Sequence, residues 1–143
     1  METTIITNSF EETQKLGFDL AKEVEDVSVL ALYGDLGSGK TTFIQGLAKG
    51  LGINKKIISP TFIIMRSYKV PVIFKKNHFY HIDLYRVNSE DDVRELGLVE
   101  LINDPGNLLA IEWPEKILKL LPEKRFDLHF EYMDENKRKI TIT

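Results

Sequence analysis

The chain contains no cysteine. That absence excludes a disulfide framework, a thiolate-held zinc and a thiol nucleophile, and it fits a reducing compartment. Long apolar runs are missing too: Val27 to Tyr33 falls far short of the ~20 residues a membrane helix needs. The polar opening Met1-Glu2-Thr3-Thr4 lacks the charged and apolar regions of a signal peptide. A cytoplasmic location without membrane attachment is therefore expected. An excess of positive charge is also absent. The net charge of −3 supplies no general attraction to nucleic acid, although Lys75-Lys76 could form a local basic patch, so any RNA contact is expected to run through a partner. No linker, repeat or low-complexity stretch marks a boundary. The 143 residues are expected to form a single domain, 1–143, large enough to bury roughly two-thirds of its unfolded surface.

Hydrophobic periodicity divides the chain into elements. Ser9 followed by Glu12 is a capping-box signature, and Leu16, Leu20 and Val24 recur behind it at helical spacing, which predicts a first helix to about Glu25. Val27 to Tyr33 is β-rich and apolar on both faces, as a strand covered by helices must be. Glycines end that strand, and from Gly39 the period changes: Phe43, Ile44, Leu47, Ala48 and Leu51 form one helical stripe that stops at Gly52. Extended segments follow at Phe62 to Val70, Val72 to Phe74 and His78 to Leu84, with a turn at Lys75-Lys76-Asn77. Ser89 with Asp92 predicts a helix through about Leu101. A turn at Asp104-Pro105-Gly106-Asn107 precedes the buried strand Leu108 to Glu112, and Pro114 opens a short helix. Clean alternation of Phe126, Leu128, Phe130 and Tyr132, then Ile140 and Ile142, predicts a closing antiparallel hairpin.

The strand, glycine-rich loop and helix around Gly34-Asp35-Leu36-Gly37-Ser38-Gly39-Lys40-Thr41 match G-x-x-x-x-G-K-[ST]. Glycines let the backbone curl so that successive amides face phosphate oxygens, and the helix adds its positive end. In such a loop Lys40 reaches the β- and γ-phosphates, and the Thr41 hydroxyl ligates Mg²⁺. The pattern predicts a bound nucleoside triphosphate. The expected fold is α/β, a P-loop NTPase-like three-layer arrangement with a mixed β-sheet flanked by helices and a C-terminal antiparallel hairpin.

A phosphate loop also needs a carboxylate at the end of another apolar strand to orient the metal. Two residues compete, Glu112 and Asp83. Asp35, inside the loop, sits near where a γ-phosphate or its attacking water would lie. Ser59-Pro60-Thr61-Phe62 sets a hydroxyl beside a rigid turn, suited to sensing the γ-phosphate. His78 and His81 fall on opposite faces of one strand, with His81 on the same face as Asp83, so they read as packed or surface histidines rather than metal ligands. Trp113, the single tryptophan, reads first as a packing residue.

Taken in order, Gly34 to Thr42, Ser59-Pro60-Thr61-Phe62, His81-Ile82-Asp83-Leu84-Tyr85-Arg86 and Ile111-Glu112-Trp113-Pro114-Glu115 resemble the TsaE family, formerly YjeE, the bacterial ATPases of tRNA threonylcarbamoyladenosine biosynthesis. The likeness runs from about Ser9 to Glu115, and the last three blocks are more specific than the phosphate loop. It implies a protein that binds ATP and Mg²⁺, hydrolyses ATP slowly alone, and works with TsaD and TsaB, the subunits that form N6-threonylcarbamoyladenosine in tRNAs reading ANN codons. Carried over by position, the resemblance implies that Lys40 binds phosphate, that Thr41 and Glu112 hold Mg²⁺, and that Thr61 and Asp83 lie near the γ-phosphate. Asp83, Glu112 and Lys40 are then the catalytic set. Residues 35–42, namely Asp35, Leu36, Gly37, Ser38, Gly39, Lys40, Thr41 and Thr42, line the nucleotide with Thr61, and Thr13 at the start of the first helix touches its base. Trp113 looks like a residue that couples nucleotide to partner. Phe62 departs from the family's usual tyrosine.

Other functions share the loop. A small-molecule kinase would carry an arginine-rich lid, whereas the five arginines here are scattered. A guanine-selective GTPase would carry N-K-x-D, and Asn54-Lys55-Lys56-Ile57 lacks the aspartate. A non-catalytic nucleotide-binding adaptor would use the same residues as an ATPase, and phosphate release separates the two.

Overall fold

A computed structural model describes residues 2–60, 64–71 and 74–143. Among the described residues seven strands form one sheet: β1 (Thr3–Thr7), β2 (Val29–Tyr33), β3 (Met65–Lys69), β4 (His78–Asp83), β5 (Asn107–Glu112), β6 (Phe126–Tyr132) and β7 (Arg138–Ile142). Their order is β1-β7-β6-β2-β5-β4-β3. The inner strands β6, β2, β5 and β4 run parallel, while β7 and β1 on one side and β3 on the other run antiparallel to their neighbours. The sheet is mixed, as the sequence predicts.

Alternation along the inner strands builds two cores. Leu30 and Leu32 of β2 and Leu108 and Ala110 of β5 face one layer; Val29, Ala31, Leu109 and Ile111 face the other. The first layer is α1 (Phe10–Leu20) with α2 (Lys40–Gly50), which packs Phe43, Ile44, Leu47 and Ala48 on the sheet. Phe43, Ile44 and Leu47, fully buried, each contribute on the order of 1.5–3 kcal/mol. The second layer is α3 (Glu90–Arg94), α4 (Leu98–Asn103) and a 3₁₀ segment, Pro114–Leu120, which bury Val93, Leu98, Ile102 and Ile117. Helices on both faces make three layers.

The helices α1 and α2 touch backbone to backbone. A Cβ on Gly46 would collide with the Gln14 carbonyl oxygen, and one on Gly17 with that of Phe43, so the crossing requires glycine on both sides. Ser9 caps α1 as predicted, its hydroxyl accepting from Glu12 N at 3.1 Å. The return arm differs: Glu12 Oε1 accepts from Asn8 N at 3.0 Å rather than from Ser9. The helix continues past Leu20 only as a 3₁₀ turn, Ala21–Glu23. Two backbone bonds close α2, Gly52 N to Lys49 O and Ile53 N to Ala48 O, the pairing that a glycine in the left-handed region completes.

Three local expectations change. The predicted helix from Ser89 to Leu101 is two short helices, because Gly97 turns to φ +73° between them. Strand β1 lies where no strand is predicted. Its sequence TTIIT carries weak alternation, and pairing with β7 from Thr3↔Ile142 to Thr7↔Arg138 holds it in the sheet. Lys75 and Lys76 form no exposed basic patch: Lys75 pairs with Glu25 at 3.2 Å, and Lys76 is buried, donating to Pro105 O. Burial pushes the Lys76 ammonium below the usual lysine range, while Asp26, Asp104 and Glu25 act against that. Among the described residues, no helix is long and apolar enough to cross a membrane.

Candidate functional site

Parallel strands bring their carboxyl ends to one edge, and that edge is where α/β sheets hold ligands. Leu32 of β2 and Asp83 of β4 both stand opposite Glu112 of β5, so the loop that follows Tyr33 rises beside two strand-end acids. An open cleft of about 320 Å³ occupies the place, lined by Leu36, Gly37, Gly39, Lys40, Thr41, Thr42, Ser59, Asp83, Glu112 and Arg138.

The loop's shape comes from its glycines. Gly39 is the residue before α2 and takes φ +104°, Gly37 takes φ +79°, and a side chain is strained at either angle. Ser38 N donates to the Asp35 carbonyl at 3.2 Å, which turns the crest over and leaves Asp35 itself exposed. The opening amides of α2, from Lys40 onward, have no acceptor inside the helix. They point with the helix dipole into the cleft, a ready anion site. Ser38 Oγ is buried without a hydrogen-bond partner among the described residues.

Lys40 is nearly inaccessible, at 4% exposure. Its ammonium donates to the Gly34 carbonyl, lies 3.9 Å from Glu112 Oε1 and stands 4.6 Å from the centre of the Trp113 ring. Burial pushes Lys40 below the usual lysine range, and the acids Glu112, Asp83, Glu115 and Asp35 act against it. The side chain is thus a desolvated cation at the root of an anion cradle, where an arriving phosphate would restore the lost solvation. Trp113 holds its ring there from a left-handed backbone, φ +60°, immediately before Pro114. A residue before proline normally stays extended, so this conformation is one the surroundings impose.

Glu112 and Asp83 are buried beside the lysine, at 4% and 5% exposure. Alternation along β4 and β5 places both on the α2 side of the sheet. Asp83 Oδ1 accepts from Tyr85 N at 3.0 Å, which orients one of its oxygens. Glu112 Oε2 lies 2.6 Å from His81 Nε2, a ring with no exposed surface. The packed reading of His81 therefore holds, with a carboxylate as its packing partner. No group of three or more His, Cys, Asp or Glu suited to a metal occurs among the described residues. The Thr41 hydroxyl and the carboxylates of Glu112 and Asp83 nevertheless line one cleft, all hard oxygen donors. Such a set suits Mg²⁺, which takes one or two protein oxygens and fills its octahedron with water and phosphate.

Thr13 and Thr42 line a smaller hollow next to the cleft, of about 90 Å³, with Phe10, Gly39, Glu135, Asn136 and Arg138. The Thr13 hydroxyl is engaged inside the protein, bonded to Thr7 Oγ1 at 2.7 Å and to the Ser9 carbonyl. It meets the hollow as a wall. Thr61 and the Phe62 switch position lie outside the described residues, and Ser59 just before them lines the main cleft.

Arg138 borders both hollows and is the residue that sequence reasoning misses. It sits at the start of β7, its Nη1 donating to the carbonyls of Asp134 and Lys137 while the guanidinium lies 4.6 Å over Tyr132. Its Nε is buried without a partner among the described residues. Nothing local marks it.

Residues 7–140 match the family described as Threonylcarbamoyl adenosine biosynthesis protein TsaE. The chain is 42% identical over 139 residues to a tRNA threonylcarbamoyladenosine biosynthesis protein TsaE of Rickettsia felis, covering 96% of this chain and 78% of that protein. It is 40% identical to the Rickettsia bellii protein of the same description, covering 100% and 96%, and 39% identical to the Bacillus subtilis one, covering 93% and 80%. A crystal structure of Bacillus subtilis YdiB superposes with a TM-score of 0.81 at 31% identity, covering 99% of this chain and 84% of that one.

Proposed function

This chain belongs to the TsaE family of threonylcarbamoyl adenosine biosynthesis proteins, and from that premise we propose that it is a cytoplasmic Mg²⁺-dependent ATPase assisting the TsaD and TsaB subunits in forming N6-threonylcarbamoyladenosine in tRNA. The convergence of Lys40, Thr41, Glu112 and Asp83 on one cleft carries the reading.

The residues divide the work. Amides of the glycine loop and the start of α2 receive the phosphates, and Lys40 exchanges its contacts with Gly34 and Glu112 for the β- and γ-phosphate oxygens. That exchange frees Glu112 Oε1. Thr41 and Glu112 would hold Mg²⁺, which would supply neutralisation of charge on the phosphates. Asp83, whose Oδ1 accepts from Tyr85 N, orients the attacking water. Arg138 and Thr42 form the wall between the phosphates and the small hollow on which the nucleoside lies. Contact with tRNA runs through the partner subunits, in keeping with a net charge of −3 and with a lysine pair that forms no basic surface.

Steady-state phosphate release from ATP, alone and with TsaD and TsaB, tests the activity. Slow release that depends on Mg²⁺ and changes with the partners is expected, together with capture of TsaD and TsaB that differs between ATP and ADP. Transfer of phosphate to a small molecule would make the chain a kinase instead, and nucleotide binding with no release would make it an adaptor.

A further inference from the structure

We propose that His81 is a positioning residue for the metal-holding carboxylate: its Nε2–H fixes Glu112 Oε2 and so aims Oε1 into the nucleotide cleft. The inference rests on the reading of Glu112 as an Mg²⁺ ligand.

Three observations carry it. His81 has no exposed surface, and its Nε2 meets Glu112 Oε2 at 2.6 Å. Its Nδ1 is buried without a hydrogen-bond partner among the described residues, and a carboxylate oxygen accepts, so Nε2 is the nitrogen that donates to Glu112. Among the described residues, no other polar contact holds this imidazole. A buried histidine kept for packing alone would give way to an apolar ring, which leaves no ring nitrogen bare. The third observation is register. His81 stands directly opposite Ala110, whose methyl group leaves the ring free to lean along β5 and reach Glu112 two residues on.

The consequence is at the other oxygen. With Oε2 held, the carboxylate cannot rotate, and Oε1 stays on the cleft side, 3.9 Å from Lys40 Nζ. When Lys40 turns to phosphate, the oxygen left facing the cleft is already placed for the cation. An unanchored glutamate would have to lose rotamer freedom at that moment, and partners of this kind are worth about 10- to 100-fold in metal affinity.

The test uses the full chain with a non-hydrolysable ATP analogue and Mn²⁺, free Mn²⁺ being counted by electron paramagnetic resonance. His81→Gln retains an amide N–H about where Nε2 lies, whereas His81→Asn is one bond too short and His81→Leu has no donor. We expect Mn²⁺ affinity to fall about 10-fold or more in His81→Asn and His81→Leu and to return to within about 3-fold of wild type in His81→Gln. Affinity for the analogue in EDTA, read from Trp113 emission, should stay within about 2-fold in all three. If His81→Leu fails to fold, the contrast between Asn and Gln carries the result alone. Wild-type Mn²⁺ affinity in His81→Asn would overturn the proposal, as would an equal loss of metal-free nucleotide affinity, which would make His81 a support of the whole cleft. A wild-type chain that binds the analogue but no Mn²⁺ would instead remove the underlying assignment of Glu112.

Discussion

The ammonium of Lys40 lies 4.6 Å from the centre of the Trp113 indole. Because this is the chain's one tryptophan, the indole is a built-in reporter of where the phosphate-loop lysine points. Nucleotide binding must draw the cation away from the ring and change its emission. A saturable change on addition of ATP is expected, and Lys40→Ala should abolish it while leaving the circular-dichroism spectrum intact. Losing the charged contact costs about 3 kcal/mol, or about 100-fold in affinity. Unchanged nucleotide affinity in Lys40→Ala would remove the central claim about the site.

Glu112 and Asp83 share a face and a depth, so a variant must separate their roles. Glu112→Ala is expected to lower Mg²⁺-dependent phosphate release on the order of 100-fold, with a much smaller effect on the thermal midpoint, since Asp83 remains as a counter-charge near Lys40. Turnover at the wild-type rate in that variant would return the metal role to Asp83.

How much of this site could be read in advance depends on whether a signal is local. The strand from Val29, the loop and α2 are contiguous, so a continuous apolar β-rich run giving way to a 3.6-residue stripe from Gly39 reveals them together. Glu112 and Asp83 end apolar runs and are visible for the same reason. His81 shows its face but not its partner, because contact with Glu112 needs β4 beside β5, and strand adjacency is decided by tertiary packing. Arg138 is more remote still. It reaches the cleft only because β7 lies two strands from β2, and nothing in Lys137-Arg138-Lys139 distinguishes it from a solvated charge run. The break at Gly97 shows the reverse case, in which a local glycine is present but the apolar periodicity on either side conceals it.

The crossing of α1 over α2 gives a test of the scaffold apart from the chemistry. Gly46 has no room for a side chain, since its Cβ would enter the Gln14 carbonyl oxygen, and both partners are helix backbone. Gly46→Ala should cost about 3 kcal/mol despite the better helix propensity of alanine, because overpacking outweighs a propensity gain of about 1 kcal/mol. Denaturant titration reads the difference. Stability equal to or above wild type would mean that the two helices are not in contact at this point.

The β6–β7 turn gives a pH-dependent prediction with a defined sign. Asp134 Oδ1 accepts from Asn136 N and Lys137 N, both at 2.8 Å, and the same residue's carbonyl accepts from Arg138. Those backbone bonds favour the ionised form and hold the Asp134 carboxyl below its ordinary value of 3.8. A depressed value in the folded state means that the unfolded chain binds the proton more readily. The carboxylate's support of the turn is therefore complete above 3.8 and is lost as pH falls through the lower, folded midpoint. Nuclear magnetic resonance of the Asp134 carboxyl should give a midpoint under 3.8, with amide protection at Asn136 and Lys137 falling in step. Since the turn also seats Arg138 at the cleft, Asp134→Ala should weaken nucleotide binding at neutral pH, whereas Asp134→Asn, which keeps an acceptor oxygen in place, should weaken it less. A midpoint at or above 3.8, or equal effects of the two substitutions, would separate the turn from the site.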